Sequence, residues 1–435
     1  MLKDKLISSF LAMENELDRK DSIHSQRTAA MQQFEAVGFP AREEEWKYTS
    51  LKKVLKEDYN IFPSKTSSLE SKDVRRYFLD DLDSYKLVFV DGKFQPHLSS
   101  TTHEGVDVCT LKSALSRKQY QPVIEAYFNK IAGTSSMASL NTAFAQEGAY
   151  IYVPAGKEVR KPIEIVHFAT GDNNQLLLQP RSLVVAGENA QVQIIERHQS
   201  LNGSSPLTNS VTEIFAERRA MVDYYKIQND SLDANLVDST HIHQEDNSEV
   251  SVHTFSFGGN LTRNNLQFTQ AGSRCNSILK GVTILEKKQH VDHATLVRHQ
   301  QPDCESHQDY KGIFSDRGVG VFNGSIIVDK IAQRINAFQQ NNNILVDDTA
   351  TCNSKPQLEI FADDVRCSHG CTIGQLDDEA LFYLRSRGIG KKEARALLMY
   401  AFANNVLDSV KIPELKKRIN RQIALKLGVQ LGFDL

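Results

Sequence analysis

The chain has 435 residues, of which 40% are hydrophobic and 24% are charged, and its formal net charge is -3. This length exceeds that of a typical compact domain, and the near-neutral charge does not predict affinity of the whole molecule for nucleic acid or a membrane surface. No apolar run approaches the ~20 residues that a bilayer-spanning helix requires, and the N-terminus does not have the pattern of a secretory signal.

The N-terminal part of the chain is predicted to be largely helical up to about residue 80. Apolar residues recur every three or four positions between residues 2 and 17, and a second helical pattern follows. The only tryptophan, Trp46, comes next, and together with Tyr48 it is expected to anchor this segment to its neighbour. Residues 85–94 then predict a β-hairpin around the turn Asp91-Gly92, and residues 111–131 predict further helix.

The long middle of the chain, from Gly148 to about residue 361, alternates between apolar and polar residues with a period of two, which indicates β-strands. A loosely repeated motif separates some of the runs: polar residues, then a small or polar residue, one further residue, and a valine or cysteine. Its last positions are Val192, Val222, Val250, Cys275 and Val291. The absence of intervening helical patterns argues against βαβ units and fits a sandwich, a barrel or a solenoid. Because roughly 225 residues of such strands are many for one sandwich, we favour a β-helix.

The helical period returns after Gly374. Asp377 or Asp378 can cap a first helix, Gly388 and Gly390 predict a tight turn, and two further amphipathic helices follow, the last beginning at Pro413. These three helices are expected to form a small bundle that packs on the strand region or on a partner.

Six cysteines in a chain of this length, without a secretory signal, indicate a reducing cytosol rather than a disulfide framework. Four of them are expected to be small buried hydrophobes, namely Cys109, Cys275, Cys304 and Cys352.

The remaining two cysteines flank a histidine in the sequence Cys367-Ser368-His369-Gly370-Cys371. In an extended strand, alternate residues point to the same face, so all three potential ligands would project together. Structural zinc sites and iron-sulfur clusters usually have four ligands. The spacing alone therefore leaves two alternatives, a metal site completed by another chain and a packed strand end.

Other kinds of site receive little support from the sequence. There is no Gly-x-x-x-x-Gly-Lys phosphate loop, so we expect the chain itself to bind no nucleotide, and no nucleophile elbow precedes a helix. The Gly388-Ile389-Gly390 turn resembles a helix-hairpin-helix motif, which keeps nucleic-acid binding as an alternative. A β-helix carbohydrate-active enzyme, such as a polysaccharide lyase, is a further alternative.

Three stretches of the chain resemble the SufB/SufD family of iron-sulfur cluster assembly proteins, and within it the SufD branch. Residues 355–370 read Lys-Pro-Gln-Leu-Glu-Ile-Phe-Ala-Asp-Asp-Val-Arg-Cys-Ser-His-Gly, and residues 376–389 read Leu-Asp-Asp-Glu-Ala-Leu-Phe-Tyr-Leu-Arg-Ser-Arg-Gly-Ile. The third is the stretch Glu45-Trp46-Lys47-Tyr48-Thr49. Length and domain order match as well, and SufB differs around its equivalent histidine.

The resemblance implies a mostly β fold with flanking α-helices, in which a right-handed parallel β-helix core lies between two helical domains. We assign residues 1–147 to the N-terminal helical domain with its hairpin, 148–375 to the β-helix and 376–435 to the C-terminal helical domain. The resemblance also implies a non-enzymatic scaffold subunit in the cytosol, which assembles with SufB and the ABC-type ATPase SufC. Neither a membrane nor a nucleic acid is an expected partner, and a homodimer in the absence of SufB stays open.

The resemblance further implies the roles of individual residues. His369 would face a cysteine of SufB across the interface and hold a transient iron-sulfur cluster shared with SufB, with Cys367 as a secondary candidate. Cys371 is a third candidate, although the family usually has alanine at its position. The C-terminal helices would bind SufC, with candidate contacts at Leu381, Phe382, Tyr383, Arg385 and Arg387. A reduced flavin is a candidate ligand of the complex.

Overall fold

The computed structural model describes residues 2–17, 22–41, 44–63, 69–79, 82–102, 105–171, 175–201 and 203–429. It is mostly β, with 40% strand and 27% helix, and its centre is a parallel β-solenoid of about eight turns flanked by N-terminal and C-terminal helices. The expected fold class is therefore confirmed.

The strands of the described residues belong to two sheets, and from β8 onward successive strands alternate between them. They are β1 Tyr85–Val90, β2 Lys93–Phe94, β3 Asp107–Thr110, β4 Ala149–Val153, β5 Ile163–Ala169, β6 Leu177–Leu178, β7 Arg181–Ala186, β8 Gln191–Ser200, β9 Leu207–Ala216, β10 Met221–Gln228, β11 Asn235–Gln244, β12 Glu249–Ser256, β13 Leu261–Gln270, β14 Asn276–Leu285, β15 His290–His299, β16 Glu305–Phe314, β17 Val319–Val328, β18 Ile335–Leu345, β19 Thr351–Ile360 and β20 Val365–Gly374.

The helices lie before and after most of these strands. They are α1 Leu2–Glu16, α2 His24–Val37, α3 Ser71–Val74, α4 Leu111–Ser116, α5 Gln121–Tyr127, α6 Ser136–Ala143, α7 Asp378–Ser386, α8 Lys391–Asn404 and α9 Pro413–Leu427. Among the described residues, no helix is long and apolar enough to cross a membrane.

Two sheets form the walls of the solenoid. Sheet 1 has the order β2-β1-β5-β8-β10-β12-β14-β16-β18-β20, and sheet 2 has the order β19-β17-β15-β13-β11-β9-β7-β4-β3, with β6 paired to β9. Pairings between successive turns are parallel, and among the named strands of the described residues only the β1–β2 hairpin and the β3–β4 pair are antiparallel. The predicted hairpin therefore exists, and its first strand also belongs to sheet 1.

The loosely repeated motif of the sequence corresponds to corners of the solenoid. Asn189, Arg219 and Asn247 have left-handed backbone conformations, with φ of 58°, 58° and 59°, where the chain turns from sheet 2 into sheet 1. The valines that follow these corners lie in register, Val192 beside Val222 and Val222 beside Val250. The repeat is thus a structural one at three of its five positions.

The other two copies of the repeated motif are not equivalent to these three. The register partner of Val250 is Ser277 and not Cys275, and Val291 lies in β15 of sheet 2. The prediction of one repeat with five members was wrong because the corners differ in length and both kinds of corner contain polar residues.

The main core fills the solenoid, and the helices cover its outside. Residues of α1, α2 and α6 pack with outward-facing apolar residues of sheet 2, including Val237 and Leu261. The segment from Met399 to Ile423 packs on the outer face of sheet 1, against residues such as Tyr225 and Phe255. The helices thus leave the last strands of both sheets largely uncovered.

Three local predictions need correction. Helix α2 ends at Val37, and the described residues that follow, up to residue 79, are mostly irregular, with three short 3₁₀ turns and the four-residue helix α3. Trp46 is buried and stacks with the guanidinium of Arg263 at 4.8 Å, as an anchor should, but the neighbouring Tyr48 is exposed. The second C-terminal helix ends at Asn404 and continues as a 3₁₀ turn.

Candidate functional site

Strand β20 brings the three predicted ligands to one face. In register with β18, Cys367 lies beside Ala337, His369 beside Gln339 and Cys371 beside Asn341. These three residues of β18 are buried in the solenoid. Cys367, His369 and Cys371 therefore extend three interior columns of side chains, and the predicted alternation is correct.

These ligands are accessible because β20 is the last strand of its sheet. Cys367 is half-buried, whereas His369 and Cys371 are exposed. Strand β19 is the last strand of sheet 2 in the same way, so β19 and β20, here called the terminal rung, each have one edge without a strand partner among the described residues. Such open edges are surfaces on which another chain can add strands.

The terminal rung is held in place by its neighbours in the preceding turn. The backbone N–H of Arg334 donates to the carbonyl of Asp364 at 2.6 Å, and the Thr372 hydroxyl donates to Asn342 Oδ1 at 2.8 Å. Cys367 packs on a small apolar cluster that includes Ala337. Burial raises the pKa of Cys367, against an opposing hydrogen bond from the Ala337 backbone, so that a metal must displace its proton.

A third thiol lies on the same rung. Cys352 is paired with Gly320 of β17 and belongs to the inward face of β19. Burial and, to a smaller extent, the charge of a Cys371 thiolate raise its pKa to about 12, which indicates that the two thiols are near each other. The expectation that Cys352 is a buried hydrophobe needs correction, since it is half-buried on this rung, whereas Cys109, Cys275 and Cys304 are buried.

The terminal rung therefore combines three thiols and one imidazole. Such ligands suit zinc, iron and iron-sulfur clusters. Cys352 was missed because it is 15 residues away from Cys367 in the sequence. The signal that could have found it is its place on the inward face of the preceding strand, which requires the register of the last turn.

Helix α7, which follows the terminal rung, presents an apolar surface. Asp377 caps it by accepting hydrogen bonds from the backbone of Glu379 and Ala380. Phe382 is 73% exposed and Tyr383 is 57% exposed. Leu381 is half-buried, and none of the residues of α7 is fully buried, although α8 and α9 both contain buried positions.

Two arginines extend this surface at the end of α7. Arg385 and Arg387 are exposed, and the Arg387 guanidinium stacks over the Tyr383 ring at 5.2 Å. Of the five residues predicted to contact a partner, two apolar and two positively charged side chains are thus exposed, and Leu381 is half-buried. An exposed apolar surface of this kind is typical of a protein interaction site.

The glycine turn after α7 is poorly suited to bind a phosphate. Gly388 has a φ of 88°, which fits a helix stop. The carboxylate of Glu393 lies against Gly390 at the start of α8. It places negative charge where a helix-hairpin-helix motif would receive a phosphate, so the geometry weakens the nucleic-acid alternative.

Comparison with known proteins identifies the family. The SufBD protein N-terminal region matches residues 2–165, and the SufBD core domain of SUF system FeS cluster assembly matches residues 167–402.

The chain belongs to the SufBD family.

Several relatives within this family resemble the chain over nearly its whole length. An iron-sulfur cluster assembly SufBD family protein of Synechocystis is 32% identical over 88% of this chain and 86% of its own length. The iron-sulfur cluster assembly protein SufD of Escherichia coli is 31% identical over 91% of each chain. SufD of Bacillus subtilis is 24% identical over 92% of this chain and 93% of its own length.

These matches confirm the family resemblance found in the sequence. They support a role in SUF iron-sulfur cluster assembly, and the relatives named SufD agree with the branch suggested by the motifs. The carbohydrate-active alternative is left without support.

Proposed function

We propose that this chain is a non-catalytic scaffold subunit of a SUF complex and that it pairs with SufB through its terminal rung. In this proposal, His369 is a ligand of a transient iron-sulfur cluster that a SufB cysteine also holds. The observation that carries the proposal is the exposure of His369 on the open edge of β20, between two cysteines of the same face.

The incomplete ligand set supports a shared and transient cluster. Iron-sulfur clusters are normally held by four ligands, whereas β20 offers one exposed imidazole, one exposed thiol and one half-buried thiol. Because burial raises the pKa values of Cys352 and Cys367, these two thiols are costly to ionise and are weaker candidates. A second chain would complete the set, and its departure would release the cluster.

In the same proposal, the three helices α7, α8 and α9 connect the chain to the SufC ATPase. Helices α8 and α9 pack on the outer face of sheet 1, and α7 is exposed directly after the terminal rung. A movement of SufC bound to α7 would thus act on the strand that carries His369. The ATP chemistry would belong to SufC, and a reduced flavin would enter as a ligand of the assembled complex.

We place this assembly in the cytosol. All six cysteines are free, which fits a reducing compartment.

Anaerobic reconstitution of the co-purified complex tests the role of His369. With His369→Ala, we expect assembly with SufB and SufC to persist and the cluster yield to fall at least about tenfold, since a ligand is lost. The matched control is His307→Ala, which removes a half-buried histidine from β16 of the same sheet. An unchanged cluster yield in His369→Ala would contradict the ligand role.

A further inference from the structure

A second group of metal-ligating side chains lies inside the solenoid, far along the chain from the terminal rung. His167 of β5 is the register neighbour of His198 of β8, and Glu196 lies two residues before His198 on the same inward face. Their side chains are 9%, 4% and 0% exposed for His167, His198 and Glu196. One ligand atom from each lies within 4.8 Å of the other two.

The three atoms that converge have no hydrogen-bond partner among the described residues. They are His167 Nε2, His198 Nε2 and Glu196 Oε1. The distances from Glu196 Oε1 to the two nitrogens are 3.5 Å and 3.8 Å. These distances exceed the 2.7–3.2 Å typical of a hydrogen bond to nitrogen, so direct contacts between the three groups do not satisfy the buried atoms.

The two distances from Glu196 Oε1 suit a shared metal ion, and the two imidazole nitrogens lie within 4.8 Å of each other. Metal–ligand bonds of about 2.1 Å in tetrahedral geometry place ligand atoms roughly 3.4 Å apart. The two imidazole rings are stacked, with centroids 4.8 Å apart and planes inclined by 12°. Binding therefore requires the rings to tilt so that both lone pairs point at the ion.

The second oxygen of Glu196 is already occupied, which orients the carboxylate. The Tyr224 hydroxyl donates to Glu196 Oε2 at 3.2 Å, and the Lys226 ammonium lies 3.4 Å from the same oxygen. Lys226 also contacts Asp238 Oδ2 at 2.6 Å. Two carboxylates thus face one ammonium, and partners of this kind around a ligand are typical of metal sites.

A cavity lies beside the cluster. His167, the most exposed of the three residues, lines a cavity of about 370 Å³, which Phe89 and Glu147 also line. The cavity leaves room for a ligand that the protein does not supply.

We propose that His167, Glu196 and His198 form a binding site for one divalent transition-metal ion inside the β-helix. Two imidazoles and one carboxylate are the donor set that favours Fe²⁺ and Zn²⁺ over Mg²⁺ and Ca²⁺, which prefer oxygen ligands. This site is separate from the terminal rung and does not depend on the proposed assembly with SufB.

The test uses the full chain with the terminal rung ligands removed by Cys352→Ser, Cys367→Ser, His369→Ala and Cys371→Ser. After chelator treatment, anaerobic titration with Co²⁺, Fe²⁺ or Zn²⁺ should load about one equivalent, measured by elemental analysis after gel filtration. Bound Co²⁺ should show a visible absorption spectrum of nitrogen and oxygen ligation, and the metal should raise the melting temperature of the protein.

The added substitution His198→Gln should weaken binding at least about tenfold while leaving Glu196 paired with Lys226. The matched control is His293→Gln, which alters a buried histidine that hydrogen-bonds Thr283 at 2.8 Å and should bind metal normally. Glu196→Gln serves as a second variant. Circular dichroism of the metal-free proteins establishes folding.

Two outcomes would overturn the proposal. In one, the protein without the terminal rung ligands retains no metal, which means that water or a proton fills the cluster. In the other, His293→Gln lowers the affinity as much as His198→Gln does.

Discussion

Burial shifts the pKa values of individual ionisable side chains in this protein. Glu147 lies just before β4, where burial raises the pKa of its carboxyl to about 7, against the opposing charge of Lys112 at 3.8 Å. One of its oxygens has no hydrogen-bond partner among the described residues. The native state therefore holds this carboxyl protonated at a pH where the unfolded chain has lost the proton.

We predict that Glu147→Gln changes the pH dependence of stability. Because the native pKa lies above the value of 4.5 for an unperturbed glutamate, Glu147 lowers the free energy of unfolding as the pH rises from 4.5 to about 7. The free energy of unfolding of the glutamine variant, relative to that of the wild type, should rise by roughly 2 kcal/mol between about pH 5 and about pH 8. Urea denaturation at the two pH values measures this change.

The matched control for this loss of one carboxyl is Glu125→Gln on α5, where the side chain is exposed. A stability difference between Glu147→Gln and the wild type that stays constant with pH would contradict the prediction.

Individual elements differ in how firmly the solenoid holds them. The connection between α5 and α6 is fixed to sheet 2 by Glu213. Its carboxylate accepts hydrogen bonds from the backbone N–H groups of Ile131 and Ala132 and forms a buried ion pair with Arg181 at 2.5 Å. Helices α8 and α9 are fixed by apolar packing on sheet 1. Helix α7 has no comparable contact, so its apolar residues are available to a partner.

We predict that Phe382→Ala weakens binding of SufC without destabilising the chain. Phe382 is 73% exposed, so its loss should change the free energy of unfolding by no more than about 0.5 kcal/mol. If Phe382 anchors SufC, the affinity measured by calorimetry should fall at least about tenfold.

Leu425→Ala on α9 provides the control, because Leu425 is also apolar and 73% exposed. Equal losses of affinity in both variants, or none in Phe382→Ala, would argue against α7 as the contact.

For the molecule as a whole, the two ends of the solenoid differ. At the first end, antiparallel strands close both sheets, β2 beside β1 and β3 beside β4. At the other end, β19 and β20 have open edges, and Ile360, Phe361 and Ile373 are exposed apolar residues. A solenoid requires a polar cap or a partner at such an end.

We therefore predict that association of the chain, with itself or with SufB, depends on the terminal rung. Ile373→Lys places a charge on the inward face of β20 and should lower self-association or SufB binding at least about tenfold, since an unpaired charge is costly to bury in an interface. Sedimentation equilibrium of the chain alone and with SufB measures the effect.

Met221→Lys, at an exposed apolar position of β10 in the middle of sheet 1, should leave association unchanged. If Ile373→Lys associates as the wild type does, the partner binds elsewhere.

The sequence by itself determined the features that depend on neighbouring residues. A period of two predicted the strands, a helical period predicted α7 to α9, and alternation alone put Cys367, His369 and Cys371 on one face. These patterns are local because side-chain direction follows from the backbone of a single element.

Only the tertiary structure decided which residues of different turns meet. The corners vary in length, so the register between strands follows from packing and not from a fixed spacing in the sequence. Register brings Cys352 to the terminal rung, and it places His167 beside His198, 31 residues later. The open end and the buried ligand cluster are therefore properties of the stacked turns, which no single strand reveals.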